Sequence, residues 1–174
     1  PLPSNLDSKD FRFPDNAKKI RTFTVDELKA LLAAGSERVR LYLLLMMNCG
    51  YYQKDISDLQ HDEVDWKKGR IKRKRSKTEQ HDEVPTVDYP LWKETFRLLK
   101  RHRSQDKDRV FLTSESKPLK QESIVAGVLV KTDNIQSAYR RLQDKMKLKP
   151  SQRKPLKLIR KTSANLLDSN RDYA

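Results

Sequence analysis

The sequence predicts a mainly helical α+β chain with one small three-stranded antiparallel sheet, and three observations carry that expectation. Two helix-start signals, at Thr24 and Ser36, are each followed by apolar residues at helical spacing. The period then changes near Glu63 to short alternating runs broken by turn residues. After Pro90 the helical spacing returns and continues towards the C-terminus.

Thr24-Val25-Asp26-Glu27 has the form of a capping box, in which the Thr hydroxyl accepts from the third helical N–H and Glu27 reaches back to the cap. Leu28, Leu31 and Leu32 form the stripe behind it, and Gly35 closes the helix. Ser36 caps a second helix through Val39, Leu41, Leu43, Leu44, Leu45, Met46 and Met47, which is apolar nearly all round and therefore the central core helix. It stops at Asn48-Cys49-Gly50, where Gly50 suits a left-handed cap. A short helix or turn follows over Gln53–Leu59, with Ile56 and Leu59 inward. Three short strands are expected at Val64–Trp66, Arg70–Arg75 and Glu83–Val87, with Pro85 placing the last at an edge or a bulge. Leu91, Trp92, Phe96, Leu98 and Leu99 mark a further helix that ends in Lys100-Arg101-His102-Arg103, favourable to its dipole. Val110-Phe111-Leu112 is a short buried piece, Gln121–Val130 is expected to be a short helix, and Asp133 caps a helix carrying Ile135, Ala138, Tyr139, Leu142 and Met146. Residues 1–21, with three prolines and only Phe11 and Phe13 as large apolar anchors, read as a linker or extended arm. A chain of 174 residues supports one ordinary domain, expected over 22–174, and a first residue of Pro rather than Met points to a piece of a longer protein.

Lys and Arg number 38 against 24 acidic residues, a net charge of +14. Such a field attracts polyanions, nucleic acid first. The cations cluster at 70–75, 97–103 and 140–161 rather than spreading evenly; Arg73, Arg75, Arg140, Arg141 and Lys161, together with Lys54, are candidates for contact with double-stranded DNA. One cysteine, Cys49, permits no internal disulfide and fits a reducing compartment. The three histidines lack zinc-ligand spacing, no apolar run reaches bilayer length, and the four glycines form no phosphate loop. No metal or nucleotide cofactor and no membrane is expected; a cytoplasmic, nucleoid-associated setting is.

Near the C-terminus, Lys154–Leu167 enters a helix just after Pro155 and buries Leu158, Ile159, Leu166 and Leu167 on one side. Lys157, Arg160 and Lys161, at i, i+3 and i+4, emerge together from the other. That cluster suits either a solvated basic face or a grip on phosphate.

The order of these parts resembles the catalytic domain of the tyrosine recombinases, the phage integrase family. Asn48–Leu59 is similar to the family's Gly-x-Arg-x-x-Glu-Leu box, His61–Trp66 to the lead into its first strand, Ser76-Lys77-Thr78 with Val84-Pro85 to its lysine hairpin, and Leu156–Thr162 to its His-x-Leu-Arg-His-Thr box. The likeness runs from about Thr22 onward. It implies site-specific breaking and rejoining of DNA through a covalent 3′-phosphotyrosine, with self-association on DNA in a bacterial or phage setting.

Carried over residue by residue, Arg160 takes the second arginine, Lys157 the His/Lys position and Lys77 the hairpin lysine that protonates the leaving 5′ oxygen, with Lys74 a poorer candidate because it lies inside the expected strand. Lys161 stands where His is frequent and Asp55 keeps the acid after the first arginine. The first arginine itself is replaced by Tyr52, with Lys54 on the same turn as a substitute charge. Tyr173, 13 residues after Arg160, is too close to be the attacking tyrosine, which is expected beyond Ala174. Two alternatives stand beside the enzyme: an inactive relative that keeps the fold as a DNA-binding module, and an unrelated RNA-binding protein, for which only Trp66 and Tyr89 flank the basic sheet.

Overall fold

The computed structural model describes residues 21–74 and 83–169. All of the expected arm over residues 1–21 except Arg21, together with Arg75, Lys77 and Tyr173, lies outside the described residues. Chain order is α1 (Val25–Ala34), α2 (Glu37–Asn48), α3 (Gln53–Ser57), β1 (Val64–Asp65), β2 (Arg70–Arg73), β3 (Val87–Pro90), α4 (Lys93–His102), β4 (Lys120–Val125), β5 (Val128–Asp133), α5 (Asn134–Lys145) and α6 (Leu158–Ser169), with one 3-10 turn at Pro150–Gln152.

The local signals act where the sequence places them. At α1 the Thr24 hydroxyl accepts from the Glu27 N–H at 3.1 Å while the Glu27 carboxylate accepts from the Thr24 N–H at 2.7 Å. Ser36 caps α2 and Asp133 caps α5, accepting from the Gln136 N–H at 2.8 Å. Six consecutive side chains of α2, Leu41 to Met46, are buried, and α1, α4, α5 and α6 all pack on this helix. A helix without a polar face can persist only under such cover.

β1, β2 and β3 form one antiparallel sheet in that order, with Val64 opposite Ile71 and Ile71 opposite Tyr89. The third strand runs over Val87–Pro90, later than the expected Glu83–Val87. Pro85 lacks an N–H for the ladder, so pairing starts beyond it, and Pro90 is tolerated at the strand's last position on the edge.

The expected helix over Gln121–Val130 is instead the β4–β5 hairpin, paired from Lys120 opposite Asp133 to Val125 opposite Val128. Its two-residue turn is Ala126-Gly127, with φ of 49° and 77°. Both turn positions are left-handed, the geometry that matches strand twist in a tight hairpin. Ile124, Val125, Val128, Val130 and Thr132 are β-branched and favour the extended chain on either side.

Candidate functional site

The site forms where the end of α2, the start of α3 and the start of α6 meet. Leu156, Ile159 and Thr162 are buried and seat α6 against the core. The Thr162 hydroxyl donates to the Leu158 carbonyl at 2.7 Å and accepts from the Phe23 N–H at 2.9 Å, and the Ser163 hydroxyl donates to the Met47 carbonyl at 2.7 Å. These bonds fix both the depth and the rotation of α6. Arg160 is thereby aimed at the Gly50–Tyr52 turn, while Lys157, one residue before the helix, and Lys161 remain exposed.

Gly50 has φ of 65°, and a Cβ there would sit 3.4 Å from Arg160 Nε. The Arg160 stem runs along this turn at van der Waals distance from Gly50. Beyond it, Arg160 Nη1 donates to the Tyr52 hydroxyl oxygen at 2.8 Å, and its Cζ lies 4.8 Å from the Tyr52 ring centroid. A face contact and a hydrogen bond together hold one edge of the fork and orient the rest. Tyr52 is itself positioned by Asp55, whose buried carboxylate accepts from the Tyr52 N–H at 2.8 Å. The sequence marked Tyr52 as a lost arginine; it did not reveal that the phenol would become the partner of Arg160.

The other predicted residues divide. Lys54 is exposed and pairs with Asp58 at 3.4 Å on the same helix. Arg73, expected to face DNA, is buried: its side chain is 3% exposed, pairs with Glu63 at 3.2 Å and donates to the Asp55 carbonyl at 3.0 Å. The reason is strand parity. Arg73 lies two residues after the fully buried Ile71, so both project to the same side of β2. Arg73 therefore ties the sheet to the carbonyl of Asp55 within α3, rather than offering a surface charge. Arg140 and Arg141 are exposed on α5. Arg141 lines a cavity of about 420 Å³ with Arg38, Tyr42 and Lys145, and none of Tyr52, Lys157 or Arg160 lines it.

Burial separates the other described tyrosines of the core from the site. Tyr51 is fully buried against Tyr89, and burial pushes its phenol well above the ordinary range. Tyr139 is pushed up to about 12 by burial and donates to the Lys154 carbonyl at 2.9 Å, supporting the loop that delivers α6. Among the described residues no group of three or more His, Cys, Asp or Glu side chains could hold a metal ion. No helix among them is long and apolar enough to cross a membrane.

The family model described as phage integrase family matches residues 21–169. The chain belongs to the phage integrase family. No curated protein sequence matches it. Among solved structures it is similar to XerA recombinase, with 17% identity and a TM-score of 0.60, covering 94% of this chain and 57% of that one. It is similar also to the Tn1549 transposon integrase in complex with transposon right end DNA, with 12% identity and a TM-score of 0.65 over 91% and 56% of the two chains. A lambda integrase dimer bound to a COC′ core site matches with 17% identity and a TM-score of 0.60 over 88% and 43%. The chain thus spans about half the length of these integrases and recombinases, and at such identities the likeness is one of fold. Within the family's fold, the helix carrying Arg160 and the turn carrying Tyr52 form one corner, and the corner holds one guanidinium and one phenol.

Proposed function

We propose that this chain is the phosphate-binding part of a site-specific recombinase that breaks and rejoins duplex DNA through a phosphotyrosine intermediate. The observation that carries the reading is Arg160, held by Tyr52 and the Gly50 turn, with Lys157 exposed one turn away. A preorganised fork beside a flexible ammonium suits the nonbridging oxygens of one phosphodiester. In this reading a tyrosine oxygen attacks phosphorus, the P–O bond to the 5′ oxygen breaks, and Lys77 gives that oxygen its proton. The reverse attack by a 5′ hydroxyl rejoins the strand and frees the phenol, so the bond is conserved between the two halves. Tyr42, Tyr51 and Tyr139 are buried, Tyr89 packs edge-on against Tyr51 in the sheet, and Tyr52 is bonded to Arg160, so we assign the attacking tyrosine to a segment outside residues 21–169. Lys54, Lys161, Arg140 and Arg141 are exposed and supply charge for the DNA backbone, and copies assemble on DNA in a cytoplasmic, nucleoid-associated setting.

A second reading, a binding module that no longer cleaves, is favoured by Tyr52 at the first arginine position. Losing one transition-state donor typically lowers the rate about 10²- to 10³-fold. The test has two arms. The 174-residue chain should bind duplex DNA with a steep loss of affinity as salt rises, and an isotherm indifferent to salt would sink both readings. In the complete protein, Arg160→Ala should abolish cleavage and largely keep binding; cleavage by neither parent nor variant selects the binding module.

A further inference from the structure

We propose that the β4–β5 hairpin is a self-association surface that joins two copies of this chain. Ile124, Val128, Leu129 and Val130 are 75%, 64%, 53% and 41% exposed, and every described side chain from Glu122 to Lys131 lies in solvent. At the turn, a Cβ on Gly127 would meet nothing within 4 Å. Ile124 stands opposite Leu129 in the ladder, and Val130 opposite Ser123, so apolar groups occupy both faces of the hairpin near its tip. Two strands alone are marginal in water. The β5 edge also reads Val128-Leu129-Val130 without a proline or a charge, lacking the devices that keep an edge strand from pairing.

Charge selects the occupant. The hairpin carries two lysines, one Glu and one Asp, and all four are paired across its strands: Lys120 with Asp133 at 3.5 Å and Lys131 with Glu122 at 3.1 Å. It is therefore neutral within a chain of net charge +14. DNA phosphates find no uncommitted cation there. A second hairpin finds a neutral, apolar surface identical to its own, as a two-fold contact requires, while the cation excess elsewhere opposes the approach of two copies. The inference does not depend on the recombinase reading.

Salt distinguishes this surface from the DNA site. Screening weakens repulsion between the two cationic copies but also weakens DNA binding. Sedimentation of the 174-residue chain without DNA should show a concentration-dependent dimer whose fraction rises from ~0.05 M to ~0.5 M NaCl. The neutral double substitution Ile124→Ser with Leu129→Ser should reduce dimer affinity at least about tenfold, with an unchanged circular-dichroism spectrum and unchanged affinity for a short duplex. Independently, Ile124→Cys should give a disulfide-linked dimer on oxidation, because Cys49 is buried and does not compete. A chain that stays monomeric across the salt range, or a double variant that dimerises as well as the parent, overturns the proposal. So does a double variant that loses affinity for the short duplex, which would assign the hairpin to DNA.

Discussion

The Arg160 guanidinium lies over the Tyr52 ring, 4.8 Å from its centroid, and donates from Nη1 to the phenol oxygen at 2.8 Å. The residue that the sequence resemblance aligns with the family's first arginine is thus the structural partner of the one it aligns with the second. A phenol that accepts from Arg160 can still donate through its own proton, but it brings no positive charge to a phosphate.

Restoring the charge should therefore change the chemistry more than the fold. Tyr52→Arg is expected to add one phosphate contact, steepening the slope of log affinity against log salt by about 0.9. In the complete protein it should raise covalent adduct formation on a nicked duplex by about 10²-fold. Binding titrations and denaturing gels read the two effects separately. Unchanged slope and unchanged adduct would remove Tyr52 from the phosphate site.

Gly50 should resist replacement for two reasons that act together. Its φ of 65° is strained for any other residue, by roughly 1–2 kcal/mol for an L side chain. A Cβ would also touch Arg160 Nε at 3.4 Å, ordinary van der Waals contact, so a turn that shifts to relieve the strain moves Arg160 with it. Gly50→Ala is expected to lower the melting temperature by ~2–8 °C and to weaken DNA binding by displacing Arg160. Gly127→Ala carries the same backbone strain in open space, so it should leave DNA binding intact. Equal loss of binding in both variants would contradict the link between Gly50 and Arg160.

Arg73 was read as a DNA contact and is an internal tie. Arg73→Met removes the ion pair between Arg73 and Glu63 and the hydrogen bond from Arg73 to the Asp55 carbonyl. The expected loss is up to about 3 kcal/mol, the low end for breaking a buried pair, since Glu63 keeps 23% of its side-chain surface in water. Chemical denaturation should show this loss, while the salt slope of DNA binding measured below the transition stays as in the parent. A reduced slope with normal stability would return Arg73 to the DNA interface.

What could be read from the sequence follows a physical division. Thr24, Ser36, Asp133 and Gly50 act through neighbours within a few residues, so their spacing alone revealed four helix ends. Arg160 and Lys157 were legible because they stand three residues apart where the chain enters α6. The Tyr52–Arg160 bond spans 108 residues of chain, and nothing in the local pattern of either residue encodes it. The β4–β5 hairpin was missed because Ala126 occupies a left-handed turn position normally left to Gly, Asn or Asp, hiding the two-residue turn. Arg73 was misdirected because its charge outweighed its parity with Ile71, which was the better guide.

Cys49 gives a probe of the corner that needs no DNA. It sits at the C-cap of α2, immediately before Gly50, and burial pushes its thiol up to about 12. The folded state disfavours the thiolate, so this group contributes stability that is fully present below the unfolded thiol's pKa of 9.0 and is lost as pH rises from there towards about 12. Because the thiolate is the nucleophile, alkylation at pH 8 should be slow in the native chain and fast in denaturant. The same reagent should label Gly50→Ala faster than the parent if strain at Gly50 opens the end of α2. Rapid native labelling of the parent would show that the α2–α6 corner opens without unfolding, and that Arg160 is not held as its bond to Tyr52 implies.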